Sequence, residues 1–182
     1  MGNVGPAKKE RGVFLMNFNI IKTKQSYNIE LLQKEVKKIL EKSNSGCVAL
    51  SGTTPEFDMY STYTGPLKDT DIKEEDFKYL NSELRGSVIE TIWNNNKRSI
   101  GRFRILTIKP FENRYTKHVD ADYRTHLAVF TNEESFLEID NTPYHIPADG
   151  VAYLCNTRKI HTAYNHGNTN RVHIVWNDRN CE

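Results

Sequence analysis

Residues 101–176 read GRFRILTIKPFENRYTKHVDADYRTHLAVFTNEESFLEIDNTPYHIPADGVAYLCNTRKIHTAYNHGNTNRVHIVW, and their reading decides the fold. Phe103, Ile105 and Thr107 alternate with Arg104, Leu106 and Ile108 as far as Pro110, which is the two-residue period of a strand. Further short β-prone runs cover residues 126–130, 135–139, 144–146, 151–154 and 172–176. Turn formers divide them: Thr131-Asn132-Glu133, Asp140-Asn141-Thr142-Pro143, Pro147-Ala148-Asp149-Gly150 and Asn165-His166-Gly167-Asn168. Many short strands at close spacing predict a mostly β chain with a double-sheet jelly-roll core, a double-stranded β-helix, and helices outside one sheet.

Working outward, residues 74–94 carry Phe77, Leu80, Leu84, Val88, Ile89 and Ile92 at helical spacing, with Gly86 as a weak point. Residues 47–67, rich in Ser, Thr, Gly, Pro and Tyr, read as a loop with at most one short strand. Residues 27–42 place Ile29, Leu32, Val36, Ile39 and Leu40 on one face of a helix, with Ser26 or Asn28 to cap it and Gly46 beyond its end. Residues 13–21 (VFLMNFNII) suggest a first strand, and residues 1–12 a flexible tail. The expected organisation is a single domain over 13–182, with helical support from 27–94 and a catalytic core at about 99–178.

Bulk properties exclude several classes of function. A net charge of +2 on 182 residues leaves no nucleic-acid footprint. The most basic stretch, residues 34–42, is interleaved with Glu35 and Glu41 and reads as a solvated helix face. No apolar window is long enough for a membrane span. Residues 1–12 lack the apolar core of a signal peptide, and Pro6 stands where a myristoylation signal wants Ser or Thr. Cys47, Cys155 and Cys181 are odd in number and far apart, which suits reduced thiols and a cytoplasmic location.

Within the β-rich stretch, His118 and Asp120 form a His-x-Asp pair, His161 follows after several strands, and Arg171 lies ten positions further on. On a strand, residues i and i+2 share a face, so His118 and Asp120 reach the same ion. Two imidazoles and a carboxylate hold one face of an octahedron and leave three adjacent positions, which suits a non-haem Fe(II) binding a chelating co-substrate together with O2. Arg171 would grip the far carboxylate of that co-substrate, since a guanidinium fork matches a carboxylate in bidentate fashion. Blander readings stand beside this one. His118 can be a surface residue beside Lys117, Asp120 a turn acid, and Asp122 the carboxylate in place of Asp120. His145, His166 and His173 read as ordinary hydrogen-bonding histidines. Arg124 and His126 are either further anion ligands or an edge-strand charge with a core-rim histidine.

The ordered set GRFRILTIKP, HVD, RTHLAVF, DGVAYLCNTRKIHTAYNHG and RVHIVW resembles the aspartyl/asparaginyl β-hydroxylase family of Fe(II)/2-oxoglutarate oxygenases, which are cupin-like proteins. The likeness covers roughly residues 101–178. It implies that His118, Asp120 and His161 are the catalytic iron ligands and that Arg171 pairs with the distal carboxylate of 2-oxoglutarate. It also puts Thr107 at that carboxylate, Arg124 and His126 at the oxo-acid end, and Asn156 where it orients His161. The implied activity is a dioxygenase that hydroxylates an amino-acid side chain, free or within a peptide or protein, using Fe(II), 2-oxoglutarate and O2 and releasing succinate and CO2. Some relatives lack the metal carboxylate, whereas Asp120 is present here. The expected substrate region is the loop over residues 52–66 with the turn at 111–115. Two other classes remain open: a non-catalytic cupin-like module that binds a small anion, and a cupin-type isomerase or dioxygenase with more histidines and no need of Arg171.

Overall fold

A computed structural model describes residues 18–67, 70–113 and 116–178, so the expected tail at residues 1–12 and the third cysteine, Cys181, lie outside the described residues. Strand β1 (Ile20–Ser26) starts later than the apolar run at 13–21 suggested, and residues 13–17 lie outside the description. Helix α1 (Ile29–Glu41) follows the expected stripe. Asn28 caps it, its Oδ1 accepting from Leu31 N at 3.0 Å, and Leu32, Val36 and Ile39 are buried.

Two very short strands, β2 (Val48–Ala49) and β3 (Ser51–Gly52), open the next loop, and β4 (Tyr79–Leu80) pairs with β3. The long helix expected over 74–94 is instead much shorter: α2 covers Val88–Asn96. Ahead of it come two single 3-10 turns, Glu74–Asp76 and Ser82–Leu84, around β4. The physical reason lies at two positions. Gly86 adopts a left-handed φ of +76°, which no helix interior permits, and Ser87 then caps α2 by accepting from Glu90 N at 3.0 Å. Phe77 and Leu84 are buried without helical periodicity.

Eight further strands follow among the described residues: β5 (Arg104–Ile108), β6 (Glu112–Asn113), β7 (Tyr123–Phe130), β8 (Ser135–Ile139), β9 (Thr142–Tyr144), β10 (Val151–Cys155), β11 (His161–Asn165) and β12 (Arg171–Asp178). They form a six-stranded sheet in the order β1-β10-β7-β12-β5-β2 and a four-stranded sheet in the order β6-β11-β8-β9, with every pairing antiparallel. The described residues are therefore mostly β, with two flanking α-helices.

Strand parity divides the core in two. One cluster joins Leu32, Val36, Ile89, Ile92 and Trp93 of the helices to Ile105, Leu127, Val172, Ile174 and Trp176 on the outer face of the large sheet. The other joins Ile108, Ala128 and Cys155 on its inner face to Leu137, Ile139 and Ala163 of the small sheet. The two sheets thus face each other, and their shared interior also receives polar side chains from β7 and β12. Cys47 and Cys155 are both buried. Among the described residues no helix is long and apolar enough to cross a membrane.

Candidate functional site

His118 and His161 meet first through their backbones. Each donates its N–H to the other's carbonyl, at 3.0 and 2.8 Å, an isolated antiparallel bridge that sets the two rings on one side with centroids 4.3 Å apart. The expectation that His118 and Asp120 lie on a regular strand is corrected here. Only His118 is bridged, and Asp120 follows in a loop fastened by its own N–H to Thr157 O at 2.8 Å. One ligand atom from each of His118, Asp120 and His161 lies within 4.8 Å of the others, and His161 Nε2 is 3.6 Å from Asp120 Oδ2.

Tautomers follow from the acceptors. His118 Nδ1 lies 2.8 Å from Thr116 O, and His161 Nδ1 lies 3.0 Å from Lys159 O. A carbonyl only accepts, so both Nδ1 atoms carry hydrogen and the lone pair of each ring lies on Nε2. Burial lowers the pKa of His161, with Lys159 O and Asp120 opposing it. Asn156, expected to orient His161, instead donates to Phe18 O at 3.1 Å, and the Lys159 carbonyl takes that role.

Burial acts to raise the Asp120 pKa, but Arg124 outweighs it, with help from His161 and His118, and holds the carboxyl below its ordinary value. Arg124 Nε donates to Asp120 Oδ2 at 2.9 Å, Nη2 to Glu74 Oε1 at 3.0 Å, and Nη1 to Asn177 Oδ1. Each of its three nitrogens thus meets a protein acceptor, so Arg124 sits behind the carboxylate of Asp120. Burial opposes the charge on Arg124, yet Asp120 and Glu74 prevail and push its pKa up. Asp122 is not interchangeable with Asp120, because its Oδ2 accepts from Asn177 Nδ2 at 3.0 Å.

Pairing partners in an antiparallel sheet share a face. Arg171 pairs with Ile108 and His173 with Leu106 on β5, while His126 pairs with Val175 and Arg124 with Asn177, so all four polar residues line the interior. Thr107 pairs with Val172, whose side chain belongs to the helix-side core, and a Cβ on Gly46 would lie 3.1 Å from Thr107 Cβ. Thr107 therefore stands on the opposite face from Arg171, which corrects its expected place at the same carboxylate. Arg171 is 3% exposed, and its charge bears on His126, His173 and Cys155. Burial and then Arg171 hold His126 and His173 well below the ordinary imidazole value, so both are neutral, with their Nδ1 atoms 3.4 Å apart. Burial pushes the Cys155 thiol up, so it is not a nucleophile. His145 contacts Ser135 O through Nδ1 at 3.2 Å, and His166 stacks on Tyr164 with centroids 4.6 Å apart.

Of the expected substrate region, the loop at 63–65 is tied to the large sheet. Arg102 donates to the carbonyls of Tyr63 and Gly65, and Arg104 Nη1 to Thr64 O at 3.1 Å. Residues 114 and 115 of the expected turn lie outside the described residues. Two participants escaped the sequence reading, the half-buried Glu74 and the fully buried Asn177. Neither carried a local signal, since Glu74 stood in an apparent helix face and Asn177 at the end of an apolar run.

A family model described as Aspartyl/Asparaginyl beta-hydroxylase matches residues 86–178. No curated protein matches the chain. Among solved structures, a non-heme monooxygenase described as a ThoJ-Ni complex is 10% identical with a TM-score of 0.34. That match covers 51% of this chain and about half (50%) of the other.

Proposed function

The chain belongs to the aspartyl/asparaginyl β-hydroxylase family, and from that premise we propose that it is an Fe(II)- and 2-oxoglutarate-dependent dioxygenase that hydroxylates an amino-acid side chain, free or within a peptide or protein. The observation that carries the reading is the convergence of His118, Asp120 and His161 beside a buried cationic wall. The donor set fits a divalent ion. Two imidazoles carry their lone pairs on Nε2, a carboxylate is held ionised, and one ligand atom from each of the three lies within 4.8 Å of the others. The facing antiparallel sheets support a double-stranded β-helix at about residues 99–178, with residues 27–94 as its support.

His118, Asp120 and His161 would hold the iron, and Arg171 on the inner face of β12 would receive the distal carboxylate of 2-oxoglutarate. Arg171 is buried on that inner face, and its charge bears on His126 and His173, which supports the assignment. When bound, iron and 2-oxoglutarate supply the oxidation of a C–H bond by O2, with succinate and CO2 as co-products. His126, neutral and buried beside Arg171, adds a hydrogen-bonding group without adding charge. Arg124 acts through Asp120, not on the co-substrate. Thr107, facing away, has no part in the reading.

The test is succinate production from 2-oxoglutarate by the Fe(II)-loaded chain, screened against free amino acids and peptides. Turnover that a substrate stimulates, and that His161→Ala abolishes, is the expected result. No succinate with any candidate, together with no stabilisation by Fe(II) and 2-oxoglutarate, would refute the reading.

A further inference from the structure

Resting on the reading of His118, Asp120 and His161 as a divalent-metal site, we propose that Glu74 is a positioning residue of that site, setting the orientation of Asp120 through Arg124. Glu74 lies outside the family-matched segment, in a single 3-10 turn, yet it is built into the same cluster. Its carbonyl accepts from Arg102 N at 3.1 Å. Gly101 passes so close that an added Cβ would lie 2.9 Å from that carbonyl oxygen. Its Oε1 accepts from Arg124 at 3.0 Å and lies 3.8 Å from Arg102 Nη1, while Oε2 is buried with no partner among the described residues.

The geometry acts on the ligand atom itself. Asp120 Oδ2 is both the acceptor of Arg124 Nε and the oxygen 3.6 Å from His161 Nε2. A guanidinium is planar, so fixing Nη2 on Glu74 and Nη1 on Asn177 fixes the direction of Nε and hence the carboxylate it holds.

Charge points the same way. Arg124 and Asp120 alone form a neutral pair that leaves little attraction for a cation. Glu74 pairs with Arg102 as well as Arg124, so the two carboxylates and two guanidiniums sum to a neutral cluster beside two imidazoles. Without the Glu74 charge the same cluster would be net positive and would repel a divalent ion.

The experiment titrates the full chain with Co(II), followed by its visible absorption, in wild type, Glu74→Gln, Glu74→Ala and Glu74→Asp, with Asp120→Ala as control. Glu74→Gln keeps the shape and a hydrogen bond but removes the charge. It is expected to weaken Co(II) binding about 10- to 100-fold, the range for groups that orient metal ligands. Glu74→Asp should recover much of that loss, and the Co(II) bands should shift in the Gln variant. If Glu74→Gln does not accumulate as folded protein, Glu74→Ala carries the same expectation. A merely structural Glu74 would lower Tm and leave Co(II) affinity and bands unchanged, which overturns the proposal. Wild-type binding that Asp120→Ala weakens and the Glu74 variants do not would overturn this inference alone. Binding that is absent, or indifferent to Asp120→Ala, would overturn the metal reading and this inference with it.

Discussion

Lowering the pH from 7.5 to 5.5 should destabilise the chain through two buried imidazoles. His126 and His173 sit 7% and 1% exposed on the inner face of the large sheet, and burial followed by the charge of Arg171 keeps both neutral. In the unfolded chain each regains an ordinary pKa of about 6.5 and takes up a proton that the native state refuses. Stability is therefore complete above about pH 6.5 and is lost as the pH falls below it. Over that interval each imidazole contributes at most about 1.4 kcal/mol, so the pair contributes about 2.7 kcal/mol. For a chain of this length that corresponds to a fall in Tm of roughly 5–10 °C. The assay is urea denaturation across the range with a chelator present, to keep metal linkage out of the comparison. His173→Asn, which retains a polar partner for His126 and cannot titrate, should lose about half of the slope contributed by the pair. A stability that is flat between pH 7.5 and 5.5, or a variant with the wild-type slope, would refute the assignment of neutral buried imidazoles.

Two substitutions test other parts of the account. Arg171→Met should leave metal-linked stabilisation intact and remove the further stabilisation by 2-oxoglutarate, which for wild type at a hundredfold excess over Kd is about 2.7 kcal/mol; equal thermal shifts in both proteins would count against Arg171. Gly150→Ala puts a Cβ 2.3 Å from Tyr27 O at a φ of +77°, in the turn where Tyr27 N donates to Gly150 O at 2.9 Å, so a loss of about 1–3 kcal/mol is expected in denaturant titration.

Where side-chain period and local turn chemistry agree, the sequence was readable. The runs at 126–130, 135–139 and 172–176 became β7, β8 and β12, and the stripe from Ile29 to Leu40 became α1. Strand β11 was missed because His161-Thr162-Ala163-Tyr164-Asn165 is short and carries little aliphatic character; its pairing with β8 defines it. The helix at 74–94 was overextended because Phe77, Leu80 and Leu84 mimic a stripe, while tertiary burial fixes them one by one. The convergence of His118, Asp120 and His161 was legible because a His-x-Asp followed by a distant His is the pattern that a metal site would demand. Thr107 was misplaced because sequence order cannot reveal which face a strand residue takes until its pairing is known. Glu74 was invisible, since its importance arises only when folding brings it to Arg124, fifty positions away.

The account rests on one claim, that two imidazoles and one carboxylate bind a single divalent ion, and anaerobic calorimetric titration with Fe(II) tests it most directly. One ion per chain for wild type, with binding lost in His161→Ala and in Asp120→Ala, is the predicted outcome. Heat of binding that survives both substitutions, or none in wild type, would contradict it.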